Sequence, residues 1–178
     1  MAYTTPTAVT AGDALTASLY NTYVKDNVIA LQQSIVRLAH VTRTTNYSTT
    51  TTTLSSAGDV FATDLSFTAD GTTTYTVEAY CCAIIMPAVN DSYVTVNLVK
   101  GDGTNVALLG FTRCTNGDSV ASTFFARFYY TPSAGTQTLN LRGTIAGAGT
   151  GEFRGGTGGT NTFDYAPIFL SVFGPALT

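Results

Sequence analysis

Few side chains in this sequence are able to do covalent or metal chemistry, and their spacing narrows the choice further. His40 is the only histidine. A Ser-His-Asp relay would have to run through it, and no G-x-S-x-G elbow is present to hold a nucleophile. His40 reads instead as a polar residue at the C-terminus of a helix, where a cation suits the dipole. Of the three cysteines, Cys81 and Cys82 are adjacent and Cys114 stands alone. Neighbours on a strand point to opposite faces, so the pair diverges, and no C-x-x-C spacing exists to make a zinc set with His40. Free thiols of a reducing cytoplasm are expected, with a bridge from Cys114 to one of the pair as the alternative. Asp91, Asp102 and Asp118 sit in Asn/Gly-rich turns without calcium-loop spacing and read as turn formers. Glu78 and Glu152 are the only glutamates, and nothing in the sequence marks either as half of a glycosidase pair. The tract "GAGTGEFRGGTGGTN" lacks a G-K-[ST] and a following helix pattern, so it reads as a hairpin or loop rather than a phosphate cradle. The inventory predicts no enzyme, no metal and no cofactor.

Composition points the same way. Charged residues make up 11% of the 178, where a globular domain usually has about 25%. Threonine, glycine, serine and asparagine must therefore cover the surface, and a low-charge surface on an apolar-rich chain suits contact with other protein. The eight Lys and Arg are scattered and the net charge is -3, which leaves no basic patch for nucleic acid. The N-terminus "MAYTTPTAVTAGD" has no basic n-region or apolar h-region, and no apolar run approaches ~20 residues, so neither secretion nor membrane insertion is expected.

The elements that must carry these residues fall into two parts. Residues 1–13 read as an extended arm. Residues 15–39 read as a helix, with Thr16 as N-cap and apolar residues at Val24, Val28, Leu31, Ile35 and Leu38 in a/d spacing. Two arrangements fit so short a seam: packing on the chain's own β domain, or self-association. From 41 onward threonine-rich, β-branched sequence predicts strands, the first at 41–47, and turn signals follow at short intervals. In "YVTVNLVK" Val94, Val96 and Leu98 share a face, and in "TQTLNLRG" Leu139 and Leu141 do. About eight such strands describe a mainly β chain, an antiparallel β-sandwich of the jelly-roll kind.

Two strands are apolar on both faces. Residues 122–131 place Phe124, Phe128 and Tyr130 opposite Phe125, Arg127 and Tyr129, and "PIFLSVFGP" places Ile168, Leu170 and Val172 opposite Phe169 and Phe173. A strand apolar on both sides needs cover on both sides. The expectation is an oligomer with Phe125, Arg127, Tyr129, Phe169 and Phe173 at the subunit contact; cover by the N-terminal helix is the alternative.

The stretch "VTAGDALTASLYNTYVKDNVIALQQ" resembles a segment near the N-terminus of small virion structural proteins of tailed bacteriophages. The matching positions are Ala11, Gly12, Asp13, Leu15, Thr16, Ala17, Asn21, Thr22, Tyr23, Asp26, Asn27 and Leu31. "PSAGTQTLNLRGTIAGAGTGEF" and "APIFLSVFGP" are similar to the glycine-rich hairpin and closing strand of the same proteins, although Val172-Phe173-Gly174-Pro175 lacks their usual acidic residue. The resemblance implies a TNF/C1q-like jelly roll at 41–178, often a homotrimer. It also implies that the arm and helix at 1–40 dock on the major capsid protein or another virion protein, or bundle the oligomer. Made in the bacterial cytoplasm, such a chain sits on the virion surface as a head decoration, head fibre or tail accessory. A second reading is an adhesin whose loops at 100–104, 115–119 and 147–162 bind a host glycan or surface protein.

Overall fold

The computed structural model describes Val24, Val28 and residues 36–86, 88–89, 91–114, 120–158 and 165–175. Ten strands are formed among them: β1 (Arg37–Arg43), β2 (Tyr47–Thr49), β3 (Leu65–Ala69), β4 (Tyr75–Met86), β5 (Tyr93–Lys100), β6 (Asn105–Arg113), β7 (Val120–Tyr130), β8 (Gly135–Ala146), β9 (Gly151–Arg154) and β10 (Ile168–Pro175).

Their pairing follows one rule. β5 pairs β6, β4 pairs β7, β3 pairs β8, β2 pairs β9 and β1 pairs β10, all antiparallel, as if the chain were one long hairpin. That hairpin is rolled up: β4 also pairs β10 and β9 on its second edge, and β5 pairs β8. The result is a β1-β10-β4-β7 sheet facing a β3-β8-β5-β6 sheet, with β2 and β9 extending the first. This is a jelly roll, an antiparallel β-sandwich of two Greek keys. The eight expected strands are present, and β2 and β9 are additional.

The core lies between the sheets. Val77, Ala79 and Cys81 from β4, Ile168, Leu170 and Val172 from β10, Val94, Val96 and Leu98 from β5, and Leu139, Leu141 and Ile145 from β8 are all buried. Each apolar side chain taken fully from water contributes roughly 1.5–3 kcal/mol, so strict alternation on these strands fixes their register strongly. β4 breaks its alternation once. It spends one extra residue between Cys81 and Ile84 relative to β7, so the inward phase passes from Cys81 to Ile84 and Met86. The bulge falls where the second edge of β4 changes partner, from β10 at Tyr80 to β9 at Ala83.

Three expectations need correction. The helix does not run to Ala39: the Gly174 amide donates to the Val36 carbonyl at 2.9 Å, and Arg37 to Arg43 pair with β10, so Leu38 and His40 are strand residues. Ala39 and Val41 alternate towards the core on this strand, a short pattern that overlaps the end of the helical seam, and the ladder with β10 decides for the strand. The first strand is thus 37–43, with β2 separate at 47–49. The glycine tract holds a strand, β9, pinned between β4 and β2. Gly151 suits that place because a Cβ there would lie 2.3 Å from Cγ2 of Val94.

Candidate functional site

The broad face of the β1-β10-β4-β7 sheet that turns away from the core gathers the residues expected at a subunit contact. Because β-strand side chains alternate, each register pair sets neighbours side by side. Thr42, Phe169, Tyr80 and Phe125 form one row across the four strands. His40, Ser171, Glu78 and Arg127 form the next. Arg37, Phe173, Thr76 and Tyr129 form the third, with a bulge in β1 after Arg37. With strands about 4.8 Å apart and a rise of about 3.4 Å per residue, the three rows span roughly 14 Å by 14 Å.

Phe125 is 56% exposed and Tyr129 59%. Tyr80 stacks on Phe169 with centroids 5.3 Å apart. Burial is the main cause raising the phenol pKa of Tyr80, with the Cys82 and Cys81 thiols adding to it. Between the two rows that carry the aromatics the polar row is internally satisfied: Nε and Nη2 of Arg127 donate to Oε1 of Glu78 at 2.9 and 2.5 Å, and Nδ1 of His40 lies 2.8 Å from Oγ of Ser171. Burial and then Arg37 lower the pKa of His40, so the imidazole is held towards its neutral form. His40 also contacts Phe169, ring to ring at 5.8 Å.

Phe125, Arg127, Tyr129, Phe169 and Phe173 therefore all lie on one face. Leu38, expected on a docking helix, stands exposed on β1 beside them. Val24 and Val28 are in helical backbone and about half exposed, while Asn21, Thr22, Tyr23, Asp26, Asn27, Leu31 and Ile35 lie outside the described residues. Sequence reading missed Tyr80, Glu78, His40 and Ser171 as members of the face. The alternation Thr76, Glu78, Tyr80, Cys82 in "TYTVEAYCC" contained the signal for β4, and the register with β7 and β10 supplies the rest.

Most of the residues weighed for chemistry have partners within the described residues. Cys81 is buried and Cys82 half-buried, but they do not simply diverge: the bulge lets both Sγ atoms reach the Arg154 carbonyl at 3.5 Å. Burial pushes the Cys81 thiol up to about 12, which leaves it protonated and unreactive at neutral pH. Asp102 accepts the Thr104 amide at 2.8 Å as a turn former, and Asp91 pairs with Arg113 at 2.9 Å. Glu78 and Glu152 are each paired with an arginine, Arg127 and Arg154. Asp118 lies outside the described residues.

No family model and no curated protein matches the chain. Solved structures to which it is similar include T=1 particles derived from infectious bursal virus, at 14% identity and a TM-score of 0.35, over 80% of this chain and 36% of that one. The VP2 subviral particle of infectious bursal disease virus is 11% identical with a TM-score of 0.34, over 80% and 38% of the two chains. The C-terminal CBM6 of LamC from Zobellia galactanivorans is 12% identical with a TM-score of 0.26, over 80% and 94%. The chain spans little more than a third of the virus chains.

Proposed function

We propose that the chain is a non-enzymatic structural subunit of a tailed-bacteriophage virion, a capsid decoration or head fibre displayed on the particle as a homo-oligomer, with a trimer favoured. The observation that carries the reading is the outer face of the β1-β10-β4-β7 sheet, where the two rows that carry the aromatics enclose the Glu78–Arg127 pair. An aromatic cluster around an arginine whose partner is already in place has the composition of an interface centre. A stable contact needs about 800 Å² per partner, so the rows would form its middle and the rest of the face its rim.

The resemblance of Asn21-Thr22-Tyr23 and Asp26-Asn27 to tailed-phage virion proteins supplies the setting. These polar residues are more than a core helix requires, and they are assigned to docking on the major capsid protein or another virion protein. The test is a phage carrying full-length N21A/Y23A/D26A/N27A. The purified variant should keep its oligomeric mass and be lost from purified particles; unchanged copy number per particle contradicts the docking role. A second task on the same particle, attachment to a host glycan, is favoured by a separate groove on the opposite sheet.

A further inference from the structure

The β3-β8-β5-β6 sheet also turns one face outward, and its chemistry differs. Tyr93 and Thr95 of β5 stand opposite Arg113 and Phe111 of the edge strand β6. β6 carries one extra residue here, because Val96 pairs Gly110 while Asn97 pairs Leu108. The bulge sends Leu109 against the core and leaves Phe111 and Leu108 outward, 64% and 57% exposed. Phe111 and Tyr93 meet edge to face with centroids 6.2 Å apart. With Asp91, Thr95 and Arg113 they line an open groove of about 510 Å³.

Its polar groups are paired with one another. Nη2 of Arg113 donates to Oδ1 of Asp91 at 2.9 Å, with both side chains more than half exposed. Asp91 holds a left-handed backbone, φ 60°, and its amide donates to the Cys114 carbonyl at 3.0 Å. That conformation costs free energy for a non-glycine residue and sets the direction in which the Asp91 side chain leaves the backbone, towards Arg113. Beside Phe111, the Thr95 hydroxyl lies 2.6 Å from that of Thr144 and accepts Nδ2 of Asn97 at 2.9 Å.

We infer that this groove binds a neutral oligosaccharide, with a pyranose ring lying on Phe111 and Tyr93 and its hydroxyls meeting Asp91 and Arg113. The paired charges cancel, so an ionic ligand gains no net attraction. An apolar protein surface would strip water from the ion pair without replacing its hydrogen bonds. A sugar has a C–H face for the rings and hydroxyls that both donate and accept, so it replaces that water group for group. Binding here needs neither the oligomer nor the virion.

The test is calorimetric titration of the full-length protein with cellohexaose, maltohexaose, laminarihexaose and the hexamer of β-1,4-linked N-acetylglucosamine. At least one should bind saturably, F111A and Y93A should each weaken it about tenfold or more, and F125A should leave it unchanged. The binding should persist when the salt concentration is raised, because no net charge drives it. Thermal unfolding of F111A should match the parent, since its side chain is exposed. Saturable binding by none of the four, or binding that survives the F111A/Y93A double substitution, overturns the assignment. If sugar binding fails while the protein remains oligomeric, the structural reading above stands; if the chain is monomeric yet binds sugar, only this one does.

Discussion

The two outer faces of this sandwich share a core and differ in what they present. On β1-β10-β4-β7 the aromatics come from three strands, with Tyr80 and Phe169 stacked on the inner β4 and β10 and the exposed Phe125 and Tyr129 on the edge strand β7, and they flank a polar row whose members satisfy one another. On β5-β6 the bulge in β6 sets Phe111 and Leu108 outward and Phe111 against Tyr93, beside an ion pair open to water. A broad, internally satisfied face suits a large partner with little left to hydrogen-bond. A concave edge with open polar groups suits a small one. In both places the backbone register, more than the residue types, determines which role the side chains are placed to play.

Substitutions that separate the faces should show effects of decreasing size. A charge at Phe125 should be the most damaging to assembly, because F125D buries an unpaired carboxylate in the centre of the proposed contact. Sedimentation should give a folded monomer, while F111D, equally exposed but on the other face, should leave the oligomer intact. Equal behaviour of the two variants would erase the distinction. Glu78 comes next: E78Q leaves Arg127 without its carboxylate inside the contact, and the dissociation constant should rise about tenfold or more. The matching D91N change on the groove face should leave assembly unaffected. If E78Q associates as tightly as the parent, the polar row is solvated in the oligomer.

The smallest effect is on pH dependence. The His40 pKa is lowered in the folded state, first by burial and then by Arg37, so the unfolded chain takes up the proton first as pH falls through about 6.5. Stability conferred by the neutral imidazole is present above that pH and declines below it until the folded-state pKa is passed. Asp70, held low chiefly by the Thr73 hydroxyl, and Asp102, held low chiefly by the Thr104 amide, act only below about pH 4. Between pH 7 and 5 the melting temperature of the parent should therefore fall slightly more than that of H40Q. An identical fall in both would show that His40 is not the responsive group.

The jelly roll was legible because most of its strands alternate: Val94, Val96 and Leu98, or Leu139 and Leu141, leave one choice of buried face. The two strands at 122–131 and 168–175 were legible for the opposite reason, a lack of polar alternation, and that placed Phe125, Tyr129, Phe169 and Phe173 on the side away from the core before any geometry. What the sequence hid were the bulges. One extra residue at Cys81–Ile84 brings both thiols to a single carbonyl, and another at Leu109 creates the groove face; periodicity gives no signal for either. The start of β1 was hidden too, because Leu38 continues the heptad seam while Ala39 and Val41 give only a short inward alternation, and only the ladder with β10 distinguishes them.

Sedimentation equilibrium of the full-length chain at micromolar concentration tests the central claim most directly. Self-association through the β1-β10-β4-β7 face predicts about three times the chain mass of 18.6 kDa for the parent and a single chain mass for F125D. A monomeric parent, or an F125D variant that assembles as the parent does, would contradict it.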